Sequence, residues 1–395
     1  MENLIIEHVE DGSGQFRPLV YWYLSLRCNL ACKHCWVESS PQADTSADLS
    51  IDEILQTIER LKEINPSMVI LSGGEPLIKP GFTTIIQKLI DNGINFSVET
   101  NALTLSPLIA ELFASAKERG VYCWISVSLD GGTKEAHEQI RGPGTFNRTL
   151  EGIRNLQERG VPYGVQIVIN KVNIHTIPDL FQVGKQLGME SKDDNLISFA
   201  IVNPIGRGAE ESDDLSLSFN DYVEAYRLID SSLDEFDGMI MVKVPPAAIP
   251  VGYIRRLIKH PRVRFLTTCS FPLLGILPDG TLSVCALTGR DGSLKLGHLR
   301  EDSFKDVIRE KIEPLRTSYE RAELTGICGD CVFKESCKGS CRAFAYSETG
   351  SFLGPHPLCN TLEEEGLFPN FYRLSYRDQL MTGSAETVGL REAVD

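Results

Sequence analysis

Six short apolar runs, each followed by a longer amphipathic stretch, recur between Leu19 and about Phe236, which restricts the chain to folds built on parallel strands joined by crossover helices. The runs are Leu19 to Leu26, Met68 to Ser72, Ile94 to Glu99, Cys123 to Leu129, Tyr163 to Asn170 and Ile197 to Asn203. Each reads as near-continuously apolar, as parallel strands buried on both faces should. After the first run, Ser50 and Glu53 are spaced for a capping box, and Ile51, Ile54, Leu55, Ile58 and Leu61 share one helix face. An α/β fold follows. Six such units fit either an open doubly wound sheet or a partial barrel, and in both the chemistry gathers at the carboxyl ends of the strands.

The rhythm ends after a helix predicted from Phe219 to Leu233, opened by Ser218. A proline-bearing bridge, Pro245 to Pro261, then breaks the pattern. Beyond it, Cys269 to Cys359 holds seven cysteines, turns at Asp279-Gly280 and Asp291-Gly292, and little long helical pattern, so a small metal-organised domain is expected. The predicted divisions are an N-terminal extension (1–18), a core domain (19–236), a bridge (237–268), a cysteine-rich domain (269–380) and a frayed tail (381–395).

With 395 residues, 42% hydrophobic and 24% charged, the chain can bury a sizeable core. Its net charge of -15 has no long run of like charges, which argues against a nucleic-acid surface. Residues Met1 to Pro18 carry Glu2, Glu7, Glu10 and Asp11 and lack the basic start and apolar core of a secretory signal. No apolar stretch reaches the roughly 18 residues a membrane helix needs, so a cytosolic protein without membrane partners is expected. In that compartment thiols stay reduced, and eleven cysteines point to metal ligation instead of disulfides.

Cys28, Cys32 and Cys35 directly follow the first strand in a C-x-x-x-C-x-x-C loop. A [4Fe–4S] cubane normally takes four cysteines, so three leave one iron open to another ligand. Zinc completed by His34 or a distant residue is the alternative. The second strand ends in Ser72-Gly73-Gly74-Glu75-Pro76, where the glycines allow close approach of a ligand to the backbone and Glu75 can accept from an ammonium. Seven C-terminal cysteines exceed one site and suggest two clusters, or two structural zincs. Cys123, inside a strand, reads as a core cysteine.

The three-cysteine loop followed by Gly-Gly-Glu-Pro resembles the radical S-adenosylmethionine (SAM) superfamily, and the spacing of Cys269, Cys285, Cys328, Cys331, Cys337, Cys341 and Cys359 resembles its SPASM extension. Ser128-Leu129-Asp130-Gly131 and the stretch His137 to Arg141 are also similar to that group. The resemblance implies a partial (βα)6 TIM-like barrel followed by an iron–sulfur SPASM domain. It implies SAM chelating the open iron and being cleaved to a 5′-deoxyadenosyl radical that abstracts a substrate hydrogen. By the same resemblance Gly73, Gly74, Glu75 and Pro76 would meet the methionyl amine, Thr100, Asn101, Ser128 and Asp130 would lie near the nucleoside, and His34 would pack on the adenine side. Arg141 is a candidate partner of the SAM carboxylate. Cys269, Cys285 and Cys341 would hold an inner auxiliary cluster lacking an evident fourth cysteine. Cys328, Cys331, Cys337 and Cys359 would hold a complete outer one. No residue is singled out as a catalytic acid or base.

Enzymes of this resemblance mostly modify peptides, so a peptide substrate and a reductant such as flavodoxin or ferredoxin are expected. The stretch before Leu19 is too short for a fused leader-peptide domain, so a separate protein or the barrel itself is expected to recognise the peptide. The alternative is a haem-precursor decarboxylase, whose acid groups would need Arg255, Arg256, Arg262 and Arg264. Sulfatase maturation is disfavoured by Ala286 where that group has an acidic residue, and by the lack of a further cysteine between Cys269 and Cys285. A zinc-stabilised binding scaffold is the non-enzymatic rival.

Overall fold

The structure is a computed structural model and describes residues 9–10, 16–191, 194–266, 271–285 and 294–376. It resolves into two compact units, residues 1–241 with 270–317, and residues 242–269 with 318–395.

In the first unit, the strands β1 (Leu19–Ser25), β2 (Met68–Gly73), β3 (Phe96–Thr100), β4 (Cys123–Ser128), β5 (Tyr163–Ile169) and β6 (Leu196–Ile201) coincide with the six predicted runs to within a few residues. All neighbours pair in parallel. Their spatial order is their chain order. Because the order never reverses, right-handed crossovers deliver every helix to one face, and the doubly wound alternative, which needs a reversal, is excluded. The helices α1 (Ile51–Leu61), α2 (Phe82–Asp91), α3 (Pro107–Glu118), α4 (Lys134–Arg141), α5 (Phe146–Glu158) and α6 (Ile177–Gln186) occupy the crossovers. The helix α7 (Phe219–Leu233) has the predicted start, with Ser218 and Asp221 forming a capping box.

Side chains alternate between the faces of a strand, and the alternation separates two environments. Val20, Trp22, Leu71, Val98, Ile125 and Ile167 are wholly buried on the helix side. The intervening positions mix polar Ser72, Ser97, Glu99, Ser126, Ser128, Gln166 and Ser198 with Tyr21, Tyr23, Ile70, Trp124 and Val168 on the opposite face. The strands are largely buried on both faces, as expected, and the second face adds polar groups among its apolar ones.

A short strand, β7 (Leu274–Ile276), pairs in parallel with the free edge of β1, so that residues 270–317 belong with the barrel unit and not with the later cysteines. The predicted turn at Asp279-Gly280 joins it to β8 (Thr281–Ser283), with Gly280 at φ 94° and the Thr281 amide donating to Asp279 Oδ1 at 2.9 Å. The strand β9 (Lys295–His298) completes this antiparallel end. Leu273 packs with Leu19 and Ile70, and Tyr21 and Cys285 lie against the same cluster. Little helix was expected past residue 269, but helical turns run from Phe304 to Arg321 through a π segment at Ile308–Ile312. Cys269, Ala286, Asp291-Gly292 and the tail 381–395 lie outside the described residues.

The second unit is built of short helices, with α8 (Val251–Lys259) inside the proline-bearing bridge and α9 (Arg342–Thr349) and α10 (Pro357–Glu364) among the cysteines. Its regular structure is sparse. A bridge between Cys331 and Arg373 and the edge-on packing of Phe333 against Tyr372, with centroids 4.9 Å apart, tie the chain end to the cysteine loops.

The capping box of α1 is complete: the Glu53 amide donates to Ser50 Oγ at 3.3 Å, and Glu53 Oε2 accepts from the Ser50 amide at 2.9 Å. Replacing Ser50 by alanine should lower unfolding free energy by about 1 kcal/mol in urea titrations at unchanged slope.

Candidate functional site

The chain leaves β1 at Ser25 and makes an excursion whose ends are tied by a bridge between Arg27 and Ser40, the Cys28 amide donating to the Ser40 carbonyl at 3.1 Å. Within it stand Cys28, Cys32 and Cys35, the first two buried and the third half-buried. The Leu30 amide approaches Cys28 Sγ at 3.4 Å, and Arg141 Nη1 approaches Cys32 Sγ at 3.7 Å. Burial pushes the Cys28 thiol up to about 12, so loading a metal here must displace protons.

The two glycines after β2 serve the chain's own backbone. A Cβ on Gly73 would stand 2.3 Å from the Ser25 carbonyl oxygen, and one on Gly74 would stand 2.1 Å from that of Arg27. Those contacts let the Gly74 amide donate to Ser25 O at 2.8 Å and the Glu75 amide to Arg27 O at 3.0 Å. The loop after β2 is thereby sewn to the root of the cysteine loop. Glu75 is buried and ties the same loop to the end of β3: Oε1 accepts from Thr100 Oγ1 at 2.7 Å and the Leu77 amide at 3.1 Å, and Oε2 accepts from the Asn101 amide at 2.8 Å. Burial pushes its carboxyl up, against the pull of these donors. One lone pair remains on Oε2. Asn101 in turn donates from Nδ2 to Asn29 Oδ1 at 2.7 Å, which carries the lock back to the cysteine loop.

Asp130, two residues beyond β4, is wholly buried and joins three elements. Its Oδ2 lies 2.6 Å from both His34 Nε2 and Arg141 Nε, and Oδ1 accepts from the Val168 amide at 2.8 Å. Burial alone would raise this carboxyl, but Arg141, His34 and the amide outweigh it and hold it below the carboxylate range. Arg141, at the last turn of α4, is therefore not a solvated arginine: its charge is committed to Asp130 and to Cys32. Ser128 is the last residue of β4, and Pro76 stands three residues past the end of β2.

The residues that close the loop from behind escaped the sequence reading. Arg207, after β6, donates from Nε to Cys32 O at 2.9 Å, from Nη2 to Ser39 O at 2.8 Å and from its amide to Cys35 O at 3.1 Å. Its place in Gly206-Arg207-Gly208 just past a strand end was the available signal. On the polar face of the sheet, the Tyr21 hydroxyl donates to Glu99 Oε2, which also accepts from Ser72 Oγ at 2.7 Å.

In the second unit Cys328, Cys331, Cys337 and Cys359 line one cavity together with Gly339 and His356. The His356 amide donates toward Cys328 Sγ at 3.3 Å and the Phe333 amide toward Cys331 Sγ at 3.4 Å. Among the described residues no three such ligands close on a single ion. The four thiols stand around a space, as a multi-iron group with external cysteine ligands requires, and amide donors to sulfur suit thiolates. Cys285 belongs to the first unit and Cys341 to the second. Cys123 is buried in β4, as expected of a core cysteine. Arg255, Arg256 and Arg264 are exposed and Arg262 is half-buried.

Residues 22–183 match the family model of the radical SAM superfamily, and residues 269–332 match that of the iron–sulfur cluster-binding SPASM domain. The AdoMet-dependent heme synthase of Methanosarcina barkeri is 31% identical over 361 residues, covering 86% of this chain and 95% of that protein. The mycofactocin maturase of Mycobacterium tuberculosis is 25% identical, covering 90% and 85% respectively. Streptococcus suis SuiB, solved with S-adenosylmethionine, shares the fold at a TM-score of 0.65 and 16% identity over 87% of this chain and 78% of that one. The chain belongs to the radical SAM superfamily and carries a C-terminal SPASM domain. These domains imply a [4Fe–4S] cluster and SAM as cofactors. No helix among the described residues is long and apolar enough to cross a membrane.

His137, one turn before Arg141, is buried, accepts from the Asp130 amide on Nδ1 at 3.2 Å and, among the described residues, has no partner on Nε2. Burial, helped by Arg141, lowers it to about 4. In the unfolded chain it takes a proton near pH 6.5, so between pH 6.5 and 4 the unfolded state binds more protons and stability falls as pH falls. Thermal or urea unfolding across that window should show a loss of roughly 3 kcal/mol, and His137→Gln should remove most of that slope.

Proposed function

We propose that the chain uses SAM cleavage to abstract a hydrogen from a ribosomally made peptide and so modifies it after translation. Cys28, Cys32 and Cys35 hold the SAM-binding cluster, and Gly73, Gly74, Glu75 and Pro76 border the methionyl end with the remaining Oε2 lone pair of Glu75 open to an amine. Thr100, Asn101, Ser128 and Asp130 border the nucleoside, and Arg141, held by Asp130 beside Cys32, is the candidate partner of the SAM carboxylate. Bound there, cluster and SAM together supply the 5′-deoxyadenosyl radical. Cys328, Cys331, Cys337 and Cys359 hold an outer auxiliary cluster, and Cys269, Cys285 and Cys341 an inner one. A reductant of the flavodoxin or ferredoxin type feeds the site, and a separate protein or the barrel presents the peptide.

The polar sheet face carries this reading. Its serines, Gln166 and Glu99 offer hydrogen bonds to amide groups, and no inward position of β1 to β6 holds lysine or arginine. A haem precursor is a polycarboxylate, which the carboxylate of Glu99 repels and which finds no cation on the inward positions of these strands. The relative named a mycofactocin maturase supports the peptide reading. The second reading, a haem-precursor decarboxylase, is favoured by the 31% identity to a protein named an AdoMet-dependent heme synthase.

Anaerobically reconstituted protein given dithionite and SAM should release 5′-deoxyadenosine, and Cys-to-Ala changes at positions 28, 32 and 35 should abolish it. Adding peptides encoded beside the gene should give a product of changed mass. Iron-coproporphyrin losing carbon dioxide in their place would install the second reading.

A further inference from the structure

Resting on the reading of Cys328, Cys331, Cys337 and Cys359 as an iron–sulfur site, we propose that Arg342 is the internal counter-cation of that site. It is a positioning residue that balances the site's charge and sets its reduction potential. Arg342 opens α9 and is 0% exposed, the largest buried side chain of its unit. Nη1 donates to Phe352 O at 3.0 Å and Gly354 O at 2.8 Å, Nη2 donates to Gly339 O, and Nε approaches Ser340 O at 3.4 Å. The fit is close: Gly339 has φ 71°, and a Cβ there would stand 2.3 Å from Nη2.

All four acceptors are neutral carbonyls. Among the described residues no carboxylate pairs with Arg342. A buried guanidinium without an anion is strongly destabilising, so the fold calls for negative charge nearby. The segments Arg342 holds are those that carry the thiols: Gly339 follows Cys337, and Gly354 precedes His356 and Cys359. Gly339 and His356 line the four-cysteine cavity itself. Four thiolates around a cubane core leave excess negative charge, which the guanidinium offsets. A nearby cation stabilises the reduced state, so it raises the potential of this site.

The test uses full-length, anaerobically reconstituted protein carrying Ala at positions 28, 32 and 35, which removes the SAM-binding cluster and leaves the auxiliary sites to report. Potentiometric titration followed by electron paramagnetic resonance should show one couple displaced to lower potential in Arg342→Met, with iron lost to a chelator several-fold faster. Arg342→Lys keeps the charge but not the four-carbonyl brace, and its potential should stay with the unsubstituted protein. If Arg342→Lys is displaced as far as Arg342→Met, Arg342 is only a brace and the inference falls. Unchanged potential and iron retention in Arg342→Met overturn it while leaving the cluster reading intact. Zinc, or no metal, at this site in the parent protein overturns both.

Discussion

One buried carboxylate organises the reactive end of the barrel. Asp130 is reached by His34 of the cysteine loop, by Arg141 of α4 and by the Val168 amide of β5. A charge in that position is costly unless paired and hydrogen-bonded, and here it has all three partners. Each partner is thereby positioned as well. His34 sits between two cysteines, so fixing its ring fixes the middle of their loop. Arg141 spans from Asp130 to Cys32, so the carboxylate also aims a cation at a thiol. A second brace, Glu75 with Thr100 and Asn101, holds the loop's beginning, and Arg207 holds its far side. The loop has little regular structure of its own, and these three braces supply what a helix or strand would otherwise supply.

The sheet supplies the other half of the design. A strand order that never reverses leaves one face to helices and one face open. The apolar face stabilises the barrel, and the face bearing Ser72, Glu99, Ser126 and Gln166 is free to carry chemistry. Glu99 is held by two hydroxyl donors on one oxygen, which orients the other.

The six strands, the capping box of α1, the start of α7 at Ser218 and the cysteine loops were legible because each rests on local pattern: apolar runs, a Ser-x-x-Glu spacing, a cap residue before a helix and thiol spacing. The alternation of serines within the strands was in the sequence too, but small hydroxyls dilute little in an apolar run, and both faces read alike. Gly73 and Gly74 read as room for a ligand, and the structure adds that their missing Cβ atoms leave room for the carbonyls of Ser25 and Arg27. That distinction depends on which segment lies opposite, and β1 is about fifty residues away. Arg207 and Asn29 were missed for the same reason, since their partners are backbone or distant. The assignment of residues 270–317 to the barrel rests on β7 finding the free edge of β1, a pairing no local signal announces.

The acidic chain nevertheless places guanidinium groups beside its thiols, and it does so in two different ways. At the loop after β1, Arg141 is paired with Asp130 beside Cys32, and Arg207 reaches the carbonyls of Cys32 and Ser39. In the second unit Arg342 meets carbonyls alone. A guanidinium already paired with a carboxylate has less charge left for a bound anion than one held by neutral carbonyls, so Arg141 and Arg342 weigh differently on the thiols beside them.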